Sequence, residues 1–407
     1  MKRLLQPSLA LAVLVGFALP AQAQNYGSGV AVSGGAVFVS EPGNVVRSGI
    51  VYVYRADETG RWVEAARLTA PDARPADGFG AALAVHGTTL LASRLDEAEA
   101  RGAVHVFELE DGEWRHTARL TVPDAAAGDS LGAAVALDGE RALVTAIHRS
   151  GGAGAVHVFR RGDDGEWTHE AVLTGSDAQP GDGFGAALAV SGDVALVGAP
   201  LQADRRGAAY LFRRTGSGEW VEEAKLVARD VAGDAVLGGS VAFLDGRAVV
   251  GASGRDQGTG AVYVFAPDPE GEGWEAVARL LPFAGTPRSR FGVSLEVVDG
   301  ELWVSAPGAD SFAGTIYRFQ RDAETGAWTT ASTLDRGAMP AGRVLLGAAT
   351  AVGGRVAAAS APGDDHGAGT VAVYAMDESG AWTFRNKVWS EPESFPAVTG
   401  GQVDCRE

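Results

Sequence analysis

The chain repeats itself seven times at a nearly constant interval, and this repeat limits its fold more tightly than anything else in the sequence. A glycine follows an aromatic residue or leucine at Tyr26-Gly27, Phe79-Gly80, Leu131-Gly132, Phe184-Gly185, Leu237-Gly238, Phe291-Gly292 and Leu346-Gly347. The glycines are 53, 52, 53, 53, 54 and 55 residues apart. A second marker is a glycine that opens an alternating run ending in an aromatic: Gly49 to Tyr54, Gly102 to Phe107, Gly154 to Phe159, Gly207 to Phe212, Gly260 to Phe265, Gly314 to Phe319 and Gly369 to Tyr374. A third is a tryptophan at 62, 114, 167, 220, 274, 328 and 382, so seven of the nine tryptophans are repeat positions. All three markers keep one phase.

Each copy reads as four strands. In the fourth, Phe184 to Val190 is small and apolar, and Ser191-Gly192-Asp193 turns the chain. Val194 to Gly198 is a buried second strand, Gly207 to Arg213 a third, and Trp220 to Leu226 a fourth. Period-two spacing puts Trp220, Ala224 and Leu226 on one face of that last strand and charges on the other, which suits an outer edge. Seven four-stranded units without helical periodicity predict an all-β fold, a seven-bladed β-propeller of antiparallel blades. A linear stack would want atypical capping repeats at its ends, and the end copies here look ordinary. The first copy starts on its inner strand and the last carries its own outer strand. The ring is therefore expected to close by packing of the seventh blade on the first, without a strand exchanged between termini.

Three segments follow. Residues 1–23 read as a secretory signal: Lys2 and Arg3, an apolar stretch from Leu9 to Leu19, then Ala21-Gln22-Ala23, with cleavage expected after Ala23. Residues 24–390 form the propeller, with repeats starting near 26, 79, 131, 184, 237, 291 and 346, and residues 391–407 are a C-terminal tail. The apolar stretch is shorter than the ~20 residues a membrane span needs, and no later segment is long and apolar enough. A lone Cys405 cannot form an internal disulfide, so the core must hold the fold. Loss of Lys2 and Arg3 takes the net charge from −17 to −19. That surface repels phosphate backbones and anionic membranes, and nucleic acid is not an expected partner.

The motif Phe184-Gly185 followed by Val197-Gly198-Ala199-Pro200 resembles the FG-GAP signature. This is the repeat of the integrin α-subunit propeller and of many exported bacterial proteins. Ser305-Ala306-Pro307-Gly308, Gly251-Ala252-Ser253-Gly254 and Ser360-Ala361-Pro362-Gly363 keep part of it. The resemblance implies a seven-bladed propeller that serves as a binding and adhesion scaffold for diverse partners. One departure bears on cofactors. Integrin calcium loops are acidic hairpins between the first and second strands, and calcium needs six to eight oxygens. Here those hairpins are tight, for example Asp138-Gly139-Glu140 and Asp299-Gly300-Glu301, and none holds more than two carboxylates. No integrin-type calcium site is carried over and no cofactor is expected, with calcium left open as the alternative. Paired acids before the inner strand (Asp72 and Asp77, Asp124 and Asp129, Asp177 and Asp182, Asp230 and Asp234) suit a weak cation, but more simply cap turns.

Alternating strand direction puts the blade-to-blade links and the second-to-third-strand loops on one face, and these are the long loops. They differ most between copies and supply the candidate binding residues: His148, Arg149, Asp204, Arg205, Arg206, Arg255, Asp256, Asp310, Phe312, Asp364, Asp365 and His366. Nothing in the sequence reads as a catalytic motif. No histidines have the spacing of a helical zinc pair, and His105 and His157 share a repeat position with Tyr52, Tyr210, Tyr263 and Tyr317, which reads as strand surface. The expectation is a monomeric, non-catalytic module, secreted, periplasmic or at the cell surface, whose partner is an extracellular or surface protein or a glycan. Two alternatives stand beside it. One is a polysaccharide hydrolase or lyase with carboxylates from several blades on the long-loop face near the central opening. The other is a passive structural repeat within a larger assembly.

Overall fold

The structure, a computed structural model, describes residues 26–43, 47–270, 273–337, 339–340 and 342–390. The expected leader and cleavage point, the expected tail from 391 and Cys405 lie outside the described residues. Seven four-stranded antiparallel sheets follow one another, each with its strands in sequence order, and together they form a seven-bladed ring. Blade 4 is representative: its strands are Ala187–Ser191, Val194–Ala199, Ala208–Arg214 and Trp220–Leu226. The first strand starts later than Phe184, because Gly183 and Gly185 still turn the chain there, with φ of +69° and +91°.

The two glycine markers are two sides of one contact. Gly207, which opens the third strand of blade 4, forms a parallel bridge with Leu237 at the start of blade 5. A side chain on Gly207 would collide with the Leu237 carbonyl oxygen, and its φ of +81° already disfavours one. The repeat therefore places glycine wherever one blade's backbone lies directly on the next.

Burial follows the seams. Leu188, Val190, Val197, Tyr210 and Phe212 of blade 4 pack against blade 3. The alternating residues Ala187, Ala189, Leu196, Ala209 and Leu211 pack against blade 5. Each sheet is thus apolar on both faces, and each seam carries its own core.

The outer strand departs from the expected face. In every blade the pairing of third and fourth strands shifts register once; in blade 4 Leu211 pairs with Ala224 and Phe212 with Glu222, leaving Glu223 as the extra residue of a bulge. A bulge inverts the alternation beyond it. Trp220 consequently packs back on the blade 3 seam, whereas Ala224 and Leu226 pack forward on blade 5. Trp62 and Leu68 are split the same way, as are Trp114 and Leu120. Placing the tryptophan and leucine on one face was incorrect because an unbroken period of two ignores the inserted residue.

Closure needs no exchanged strand. Blade 1 is made of Val30–Ser33, Ala36–Glu41, Ile50–Ala56 and Trp62–Leu68, and blade 7 of Thr350–Gly353, Val356–Ala361, Thr370–Met376 and Trp382–Val388. Val30, Val32, Val37, Val39 and Trp62 pack with Ala351, Ala358, Val371, Val373 and Val388. Asn386 adds polar stitches: its Oδ1 accepts from the Trp62 amide at 3.0 Å and its Nδ2 donates to the Trp62 carbonyl at 3.3 Å.

Candidate functional site

The acids of the blade links meet the variable loops, so both lie on one face as expected. In the first three pairs the two acids have different duties, whereas in the fourth the second acid, Asp234, accepts from Arg205 of the preceding blade. The second caps its own turn: Asp77 Oδ2 accepts from the Arg74 amide, Asp129 Oδ2 from Ala126 and Asp182 Oδ2 from Gln179. The first reaches the following blade. Asp72 accepts from the fully buried Arg94 at 2.5 Å. Asp177 accepts from Lys225 and the Tyr210 hydroxyl, both at 2.6 Å. Asp230 accepts from the Tyr263 hydroxyl at 2.8 Å and pairs with Arg279. These donors hold Asp177 below the ordinary carboxylate range, Lys225 contributing most and Tyr210 next. Burial, and then the bond to Asp230, push the Tyr263 hydroxyl up to about 12.

The candidate binding residues are distributed around this face, and most are tied to the blade link before or after their own loop. Arg149 pairs with Asp124 and lies 3.5 Å from Asp129. His148 Nδ1 is 3.1 Å from the Ser130 hydroxyl. Arg205 bonds Asp234 at 2.6 Å. Arg255 bridges Asp230 at 3.4 Å and Asp256 at 3.0 Å. Asp310 meets Arg336 at 3.0 Å, and the Phe312 ring carries the Arg343 guanidinium 5.0 Å from its centroid. Asp364 is buried and accepts from Thr370 at 2.7 Å and Lys387 at 2.8 Å. Asp204 and Arg206 are exposed at the tip of their loop, as is Asp365 on the corresponding turn of blade 7. His366 lies outside the residues whose side chains are described.

The loops share a backbone device. Ala203 and Asp204, Asp256 and Gln257, and Asp310 and Ser311 are consecutive left-handed residues, with φ between 50° and 60°. Such strain persists only where the surroundings enforce it. Backbone hydrogen bonds supply that enforcement: in blade 4 the Gly207 amide donates to the Gln202 carbonyl, and the Val236 and Leu237 amides of the next link donate to the Arg205 and Arg206 carbonyls, so these tips are held in place.

A concave feature lies on the other face. A groove of about 510 Å³ opens among the short hairpins of blades 5, 6 and 7, lined by Asp245, Asp299, Glu301, Arg318, Gln320 and Trp382, among others. Blade 6 departs from the repeat here. Arg318 stands where the other blades have Val53, Val106, Val158, Leu211, Val264 and Val373. It forms a bidentate pair with Glu301, Nε and Nη2 at 2.9 Å from separate oxygens, and lies over the Trp303 ring. Gln320 also donates to Glu301. Deeper in the same seam is Glu296, 1 % exposed, opposite Trp303 on the neighbouring strand. Its Oε1 has no partner, and burial raises its pKa well above the carboxylate range against a single backbone amide, that of Val352. The sequence reading did not single out this seam; comparing the seven copies position by position exposes it.

With the geometry established, the relatives can be placed. A model of the FG-GAP repeat matches residues 62–107, 114–159, 167–212 and 220–265. Each match starts on the outer strand of one blade and ends on the third strand of the next, so the sequence unit straddles the seam that its glycines build. The chain is an FG-GAP repeat protein. Among solved structures, a Lactobacillus plantarum protein is 13 % identical with a TM-score of 0.53, over 95 % of this chain and 97 % of that one. A periplasmic gluconolactonase of Pseudomonas aeruginosa is 14 % identical with a TM-score of 0.51, over 94 % of this chain and 96 % of that one. Both are likenesses of fold. Among the described residues no helix is long and apolar enough to cross a membrane.

Proposed function

We propose that this chain is an exported, non-catalytic binding module that meets an extracellular protein or glycan with its long-loop face. One observation carries the reading: side chains that differ from blade to blade sit on loops that share a backbone geometry fixed by backbone hydrogen bonds, and ion pairs hold those side chains in place, as at Arg149–Asp124, Arg205–Asp234 and Arg255–Asp230. A surface ordered before contact loses little entropy on binding. A salt bridge as exposed as Arg205–Asp234 contributes about 0–1 kcal/mol to stability, so a role in display accounts for it better than a role in folding. The test is a glycan and surface-protein array probed with the mature chain and with a triple variant, Arg205→Ala, Arg255→Ala and Asp365→Ala. Binding by the native chain that the variant loses supports the reading; no binding, or equal binding by both, refutes it.

A polysaccharide hydrolase is the second reading, favoured by the groove that gathers Asp245, Asp299 and Glu301 from two blades. Glycoside hydrolysis needs a carboxyl kept protonated beside the substrate. Glu301 is engaged by Arg318 and Gln320, and Glu296, whose pKa is raised, is buried away from any substrate. Those features favour binding over hydrolysis. Release of reducing ends from a polysaccharide panel, abolished by Asp299→Asn, would reverse the order.

A further inference from the structure

Two histidine pairs occupy the same place in adjacent blades. In blade 2, His105 Nδ1 lies 3.0 Å from His116 Nε2. In blade 3, His157 Nδ1 lies 3.0 Å from His169 Nε2. Ring planes are inclined by 50° and 45° and centroids are 5.1 and 5.2 Å apart, so the two arrangements nearly superpose. The first member of each pair is buried, at 2 % and 0 % exposure, not on the strand surface as its repeat position suggested. The second is exposed on the outer strand and open to solvent. In blades 4 and 5 the buried position is Tyr210 or Tyr263, whose hydroxyl bonds the link aspartate. Blades 2 and 3 alone present two imidazole nitrogens to each other.

We propose that these pairs are two cation sites, selective for a divalent transition metal of tetragonal preference such as copper(II), with the blade 2 site the tighter. Each 3.0 Å contact is an imidazole–imidazole hydrogen bond that a metal would replace, and its length suits that exchange. With metal–nitrogen bonds of about 2.0 Å, nitrogens 3.0 Å apart subtend about 95°, close to the right angle of adjacent square-planar ligands and well short of tetrahedral. Nitrogen ligands in that geometry suit copper(II) or nickel(II). Among the described residues no third His, Cys, Asp or Glu completes a ligand set, so water fills the remaining positions.

The ranking follows from the outer partners. His105 Nε2 lies 3.2 Å from Glu97 Oε2, and the carboxylate fixes the proton on Nε2, leaving the Nδ1 lone pair toward His116. A carboxylate behind a ligating histidine orients it and raises its basicity. Binding then requires that His116 carry its proton on Nδ1 and not on Nε2. In blade 3 the residue at the repeat position of Glu97 is Arg149, and His157 Nε2 is buried without a partner. Ligation through His157 Nδ1 would turn an N–H toward that cation, which weakens the site.

Calorimetric titration of the full mature chain with copper(II) in a non-coordinating buffer tests this, alongside electron paramagnetic resonance for equatorial nitrogen. Two sites are expected, with dissociation constants at least about 10-fold apart. His116→Ala removes the tighter and His169→Ala the weaker; both positions are exposed, and circular dichroism verifies folding. Glu97→Gln weakens the tighter site by about 10- to 100-fold while retaining its nitrogen signature. Copper uptake by the double variant equal to that of the native chain overturns the proposal. Equal affinities at the two native sites overturn the role given to Glu97.

Discussion

Replacing Glu296 by glutamine removes one buried titration and tests the account of the seam between blades 6 and 7. The other six blades carry Ala31, Ala84, Ala136, Ala189, Ala242 and Ala351 at this position. Each is paired in the same register with a residue of the second strand, as Glu296 is with Trp303. Burial raises the folded pKa of Glu296 above its unfolded value. Below the unfolded pKa both states are protonated and stability is unaffected. Between the two pKa values the folded state keeps a proton that the unfolded state has released, so rising pH favours unfolding by about 1.4 kcal/mol per pH unit for one proton. The loss stops growing above the folded pKa. Glutamine keeps the shape but has no such titration. Urea midpoints at pH 5, 6 and 7 for both proteins give the difference directly. The variant should gain on the native chain with each step, at the one-proton slope until that plateau. A constant difference from pH 5 to 7 would show that Glu296 is not held protonated, and the reasoning would fail.

Other expectations concern the frame. Gly207→Ala should cost at least about 1–3 kcal/mol through backbone strain, before the collision with Leu237 is added, and thermal melting will show it; Gly192→Ala, at a turn with open space around it, should cost less. Asn386→Ala removes the polar stitches to Trp62 and should destabilise the ring by about 1–2 kcal/mol, read from the urea midpoint. Arg205→Ala should change stability by less than about 1 kcal/mol, because its pair with Asp234 is largely exposed; a larger loss in melting would make this loop structural.

Much of the fold was legible because the residues that build it recur. The glycine pairs, the aromatic ends of the third strands and the phase of the seven copies were all readable, and the closure without strand exchange followed from where the copies begin and end. The reason for the glycines was not, since Gly207 and Leu237 meet only across a seam. The outer-strand faces were misread because Glu223 is inserted without any local signal in the sequence. Loop residues such as Arg205 were visible as variable, but their partners lie in the preceding or following link, 25 to 29 residues away. The histidine pairs were missed for a similar reason. His105 and His116 are 11 residues apart, brought together by a hairpin and a bulge and not by helical spacing. Glu296 needed neither distance nor fold; it stands out once seven equivalent positions are compared.

The claim that the long-loop face is the working surface is tested most directly by hydrogen–deuterium exchange on the propeller, alone and with a ligand identified on the array. Protection should appear on the turns at 148–153, 201–206, 254–259 and 308–313. Protection confined to the groove hairpins at 298–301 and 376–382 would put the function on the opposite face and contradict the account.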